Sequence, residues 1–215
     1  MKAIEITGLS FTYKGSEKKA FTGIDLDVEE GSITAVVGKS GCGKSTLLRC
    51  IAGLCPRVYQ GEMVGTISIF GEKISSISHV SLSTIVGIVF QNPATQLFSP
   101  TIEDELAFGP ENLCIPREEI GNRMNDVLRI IGLEKHRNLN PANLSGGQQQ
   151  LVAIGSVLTM KPRILLCDEI LSWLDLEGRK AVRDLLIELK KHGTTILLAD
   201  HRDEKIDIAD KIVRL

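Results

Sequence analysis

Hydrophobic and polar positions change their spacing several times along the chain, and each change predicts a different element. From Ile4 to Tyr13 the apolar residues fall on even positions before Gly8 and on odd positions after it, the period of a strand with a bulge or bend at that glycine. Ile24, Leu26 and Val28 alternate with Asp25, Asp27 and Glu29, the pattern of a half-buried antiparallel edge strand. Ile33 to Val37 is instead a continuous apolar run, as expected of a strand buried on both faces, and it leads into the glycine-rich Gly38 to Gly43. Thr46 to Leu54 reads as helix, and Thr66 to Phe70 and Ile85 to Phe90 read as further strands. Between Thr101 and Gly132 the period is helical: Ile120, Met124, Val127, Leu128 and Ile131 share one face, and Pro116 suits a first turn. Helix and strand then alternate, with helix at Ser145 to Met160, strand at Arg163 to Cys167, helix at Glu177 to Lys191 and strand at Thr194 to Ala199. That order predicts right-handed βαβ units and a parallel sheet, with the helical middle as an inserted lobe.

Composition narrows the class. A chain of 215 residues, 43% of them hydrophobic, is the size of one α/β domain with a core of its own. Lys and Arg (25) nearly balance Asp and Glu (27), which argues against a general electrostatic grip on nucleic acid, and no nucleic-acid partner is expected. Met1-Lys2-Ala3-Ile4-Glu5 runs straight into a strand pattern without a charged-then-apolar leader. No apolar run approaches the roughly 20 residues that cross a bilayer. The five cysteines, Cys42, Cys50, Cys55, Cys114 and Cys167, are odd in number and contain no Cys-x-x-Cys pair, so reduced thiols are expected rather than a disulfide framework or thiolate zinc site.

The chemistry is concentrated in two segments. Gly38-Lys39-Ser40-Gly41-Cys42-Gly43-Lys44-Ser45 fits the G-x-x-x-x-G-K-[ST] pattern, and it lies between a buried strand and a helix as that pattern requires. Such a loop brings backbone N–H groups and a helix N-terminus onto phosphate oxygens. Lys44 would add a full charge to the β- and γ-phosphates of ATP, and the Ser45 hydroxyl would ligate Mg2+. Arg163 to Glu169 is an apolar strand ending in two carboxylates, at the end where a parallel sheet presents its ligand groups. Asp168 would hold the metal and Glu169 would polarise the attacking water.

Leu144-Ser145-Gly146-Gly147-Gln148 resembles the signature motif of the ATP-binding cassette (ABC) ATPases, and the other elements of that family follow in the same order. Locally it is also a capping box, with Ser145 at the N-cap and Gln148 at N3. A capping box does not explain glycines at 146 and 147, each costing roughly 1 kcal/mol against alanine in a helix. Exposed backbone N–H groups that meet a γ-phosphate explain them better. The resemblance covers essentially the whole chain. It implies a P-loop NTPase fold with a mostly parallel core sheet, an antiparallel β subdomain and an inserted helical subdomain. The core would be about 1–90 and 161–215, and the glutamine loop and signature lobe about 91–160.

The resemblance also implies a head-to-tail pair of cassettes, identical or different, in which Ser145, Gly146, Gly147, Gln148 and Asp175 act on the partner's nucleotide. Gln91 falls at the glutamine that senses metal and γ-phosphate, and His201 at the histidine that contacts the γ-phosphate. Thr46 continues the phosphate loop, and Tyr13 matches the aromatic that stacks on adenine, with Phe11 second in line on the same strand face. Ile170 stands where proline is usual, Leu151 where a basic residue is usual and Trp173 where a small residue is usual. The segments Phe90 to Pro93, Gln96 to Thr101 and Ala107 to Asn112 look like the ATPase subunits of energy-coupling factor transporters, which import vitamins or cobalt and nickel ions. This implies peripheral attachment at the cytoplasmic face of the membrane, to a transmembrane coupling subunit and a substrate-binding membrane component. Leu97, Phe98, Leu106 and Phe108 would offer the docking surface.

Overall fold

The structure, a computed structural model, describes residues 1–201 and 206–215. In chain order the strands are β1 (Lys2–Tyr13), β2 (Phe21–Glu29), β3 (Ile33–Val37), β4 (Gly61–Ile69), β5 (Glu72–Lys73), β6 (Val86–Val89), β7 (Ile164–Asp168), β8 (Thr195–Asp200) and β9 (Lys211–Arg214). The helices are α1 (Lys44–Ile51), α2 (His79–Ile85), α3 (Ile102–Asn112), α4 (Arg117–Ile131), α5 (Gly146–Leu158) and α6 (Leu176–Lys191). The strands form two sheets. One is antiparallel, in the order β2-β1-β4-β5; the other is parallel, in the order β6-β7-β8-β3-β9.

The continuous apolar runs have a direct cause. In β7, Leu165 and Cys167 belong to one buried cluster while Ile164 and Leu166 belong to the other. β8 divides in the same way, with Ile196 and Leu198 on one side and Leu197 and Ala199 on the other. A strand that must fill a core on both faces has no room for polar alternation. The first cluster packs the parallel sheet against α3, α4, α5 and α6, and the second packs it against α1 and the antiparallel sheet. The Gly8 irregularity occurs where expected: the register of β1 shifts between Ile6 and Leu9 against β2 and between Thr7 and Ser10 against β4. All five residues predicted to share a face of α4 are buried.

Several elements differ from the sequence expectation. α1 begins two residues earlier and ends at Ile51, because Gly53 takes a positive φ and the Leu54 N–H turns back to the Arg49 carbonyl. Pro116 is the N-cap of α4 and not part of its first turn. Neither α2 nor β5 was foreseen. Only Leu82 of α2 is buried, so the helix lacks an apolar stripe, and it starts because Ser78 accepts a hydrogen bond from the Ser81 N–H.

Candidate active site

α1 follows β3 and has Gly43 at its N-cap, with φ of 101° and no side-chain cap, and its first turn carries no Asp or Glu. By contrast α3, α5 and α6 are capped by Thr101, Ser145 and Asp175. The N-terminal N–H groups of α1 are thus left for an anion from outside the protein. Gly43 is required here twice over, since a Cβ would also come within 2.6 Å of the Ala20 carbonyl oxygen.

Lys44 is 4% exposed. Its Nζ donates to the carbonyls of Gly38 (2.8 Å) and Lys39 (3.2 Å), which folds its charge back over the loop. The same Nζ faces Glu169 Oε1 at 3.5 Å. Ser45 Oγ donates to Asp168 Oδ1 at 2.9 Å, joining the start of α1 to the end of β7. Burial raises the Asp168 carboxyl above its ordinary range; the Ser45 hydrogen bond opposes this, the Glu169 charge adds to it, and Arg49 and Lys44 oppose it.

Glu169 follows with φ of +49°, a left-handed backbone that costs about 1–3 kcal/mol in a residue other than glycine. Its N–H donates to the Ala199 carbonyl at 2.8 Å, which ties the turn to β8, and its side chain lies beside the phosphate-loop Lys44. There Glu169 Oε2 accepts from Gln91 Nε2 at 3.1 Å and lies 3.3 Å from His201 Nδ1. Residues following β6, β7 and β8 therefore meet on one carboxylate.

Lys44, Ser45, Gln91 and Glu169 border a cleft of about 410 Å³, which Asp168 and His201 do not line. Tyr13, Ser40, Gly41, Gly43, Lys44, Ser45, Thr46, Gln91 and Glu169 line it, and Gly38, Lys39 and Cys42 form the rest of the loop. Tyr13 is partly buried, with its hydroxyl 2.9 Å from Thr46 Oγ1 and its ring edge-on to Phe11. Phe11 itself is fully buried and cannot present a face to a ligand. The opposite wall, Ser16, Lys18, Lys19 and Ala20, escaped the sequence reading; the adjacent lysines were its only signal.

Ser145, Gly146, Gly147, Gln148 and Asp175 do not line this cleft. Both halves of the expected capping box are formed: the Gln148 N–H donates to Ser145 Oγ, and the Ser145 N–H donates to Gln148 Oε1. Asp175 Oδ1 accepts from the Gly178 N–H at 2.8 Å. Leu151 and Ile170 are buried, whereas Trp173 is 79% exposed beside Leu176 at 80%.

Among the described residues no cluster of three or more His, Cys, Asp or Glu could hold a metal. Ser45 and Asp168, joined by their hydrogen bond, would with the Gln91 amide oxygen offer a hard-oxygen donor set with one carboxylate. This suits Mg2+, which keeps waters and takes one or two protein carboxylates besides phosphate oxygens. All five cysteines are free thiols.

A second groove, of about 400 Å³, lies beside Leu97, Phe98, Pro100, Pro141 and Gln149. Phe98 (65% exposed) and Phe108 (47%) stand edge to face with centroids 4.7 Å apart. Leu97 is partly buried against the core and Leu106 is fully buried, so Leu106 is not part of any docking surface. Buried Glu105, unnoticed in the sequence, shapes the segment by accepting from the Phe98 and Ser99 N–H groups at 3.0 and 2.9 Å.

An uncapped helix behind buried β3, a lysine folded over its loop and an acid pair at the end of β7, one strand removed from β3 in the same parallel sheet, define an ATPase of the phosphate-loop class. The chain belongs to the ABC transporter family, whose profile matches residues 21–172. It is 43% identical over 212 residues to a protein of Methanosarcina mazei that carries the name of an ABC transporter ATP-binding protein, and 41% identical over 215 residues to one of Pyrococcus abyssi. These matches cover 98% and 99% of this chain. The chain spans 36% of the length of the Methanosarcina mazei protein and 77% of the Pyrococcus abyssi one. Among solved structures it is similar to cbiO1 from Clostridium perfringens, part of the ABC transporter complex cbiONQ. The TM-score is 0.86 at 32% identity, covering 99% of this chain and 84% of that one. No helix among the described residues is long and apolar enough to cross a membrane.

Proposed function

We propose that this chain binds Mg-ATP in the cleft between Tyr13 and Lys44, hydrolyses it with Glu169 as general base, and energises an importer of the energy-coupling factor type for a vitamin or a transition-metal ion. The observation that carries the catalytic part is the meeting of Gln91, His201 and Lys44 on the Glu169 carboxylate. Tyr13 stacks on the base, while the α1 N-terminus and Lys44 hold the β- and γ-phosphates. Ser45, Asp168 and Gln91 would hold Mg2+, which when bound neutralises phosphate charge. Glu169 takes the proton of the attacking water, and Gln91 and His201 orient its Oε2. Ser145, Gly146, Gly147, Gln148 and Asp175 close the partner cassette's nucleotide, which is supported by their lying outside the cleft of their own chain.

The transport assignment rests on the exposed Phe98–Phe108 pair beside the groove, where a transmembrane coupling subunit would dock at the cytoplasmic face of the membrane. The likeness to cbiO1 supports it. Purification of the chain with its native membrane partners tests this reading. Phe98→Asp should abolish co-purification while circular dichroism and ATP binding stay unchanged, since Phe98 packs little of its surface. Recovery of membrane partners unrelated to vitamin or metal-ion uptake would overturn the transport assignment and leave the ATPase reading standing.

A further inference from the structure

The adjacent glycines of the signature turn have different surroundings. A Cβ on Gly146 would meet nothing within 4 Å, whereas a Cβ on Gly147 would lie 2.7 Å from the Gly178 Cα. The relationship is mutual: a Cβ on Gly178 would lie 2.9 Å from the Gly147 Cα and 2.9 Å from Asp175 Oδ1. The first turns of α5 and α6 thus touch backbone to backbone, with no side chain between them that could rotate away. Alanine is the better helix former at both positions, so close approach is the physical reason for these glycines. Gly146 is exposed, whereas Gly147 is buried with its Cα face against Gly178.

We propose that Gly178 is a positioning residue for ATP hydrolysis, because its contact with Gly147 locks the signature turn to the Asp175 loop so that both reach the partner's nucleotide as one body. Gly178 does this from both sides. Its N–H holds Asp175 Oδ1 at 2.8 Å, and its bare Cα lets the α5 backbone sit against it. Ser145 and Gly146 at the start of α5 are thereby fixed relative to Asp175 at the start of α6. A methyl group at position 178 must move α5 away or displace the Asp175 carboxylate, and either shift spoils the relative placement of the two trans contacts. The proposal rests on the reading that signature and Asp175 act on a partner cassette.

Gly178→Ala tests it, with Gly121→Ala as control because Gly121 is a helical glycine with nothing within 4 Å of a Cβ. The expected result for Gly178→Ala is an unchanged Kd for ATP, a kcat lower by about 10²-fold, and faster hydrogen exchange in both 145–150 and 174–180, with the phosphate loop unaffected. Gly121→Ala should keep the wild-type kcat. In the Glu169→Gln background, Gly178→Ala should also weaken the ATP-dependent dimer. Wild-type kcat in Gly178→Ala, or a loss that tracks a fall in both Tm and ATP affinity, would overturn the proposal. If Gly178→Ala does not fold, the wild-type chain decides: ATP should protect 145–150 and 174–180 together across a titration, and independent responses would overturn the lock. A Glu169→Gln chain that never dimerises counts against the partner-cassette reading alone, since the exchange measurements still decide whether α5 and α6 are locked.

Discussion

Nδ1 of His201 lies 3.3 Å from Oε2 of Glu169, the same oxygen that accepts a hydrogen bond from Gln91 Nε2 at 3.1 Å. Glu169 emerges from β7, the strand between β6 and β8, and its flanking partners follow those neighbouring strands. The order of strands in the parallel sheet therefore brings these three side chains together. His201→Ala should lower kcat by about 10²-fold through misplacement of the carboxylate. Calorimetry should find ATP affinity within a few-fold of wild type, because the phosphate loop is untouched. A parallel loss of affinity and kcat would assign His201 to binding alone.

Asp168 is 5% exposed, and burial raises its carboxyl above the usual range. A raised folded-state value means that the charged form destabilises the fold, and that this cost appears as pH rises above the unfolded-state value. Asp168→Asn keeps an acceptor for Ser45 and removes the charge. The variant should have a higher Tm than wild type at pH 7, with the gap closing as pH falls through the acid range, and it should lose Mg2+-dependent ATP turnover. Thermal melts across pH check the sign. A variant less stable than wild type at pH 7 would show that Asp168 contributes more through its contacts than its burial costs.

Trp173, the one tryptophan of the chain, is 79% exposed, while Leu171 and Leu174 on either side of it are buried. The loop is anchored by its leucines and presents the indole outward. In Glu169→Gln, ATP should change the tryptophan emission with an amplitude that rises with protein concentration, because association is second order. An identical change at every concentration would place the indole away from the partner.

Much of this architecture was legible because each strand had one job. β3, β7 and β8 feed two cores and read as unbroken apolar runs; β2 lies at a sheet edge and alternates. The phosphate loop was legible because its glycines and lysine leave little other use for that spacing. Less visible were features set by contacts between distant segments. Ser16, Lys18, Lys19 and Ala20 form a cleft wall only because the β1–β2 loop folds over Gly43, and Leu106 faces inward because α3 packs on α5. In the sequence the glycines at 146 and 147 look alike. The structure separates them, since the reason for Gly147 lies 31 residues further on, at Gly178.

The central claim is that Glu169 activates the water. It is tested most directly by single-turnover hydrolysis in Glu169→Gln, together with ATP binding in the same preparation. Glutamine keeps the shape and the neighbours at Gln91 and His201 but cannot take a proton. The account predicts ATP affinity near wild type, a hydrolysis rate lower by about 10²–10⁴-fold, and an ATP-bound dimer that persists on size exclusion. Hydrolysis by Glu169→Gln at the wild-type rate would contradict it.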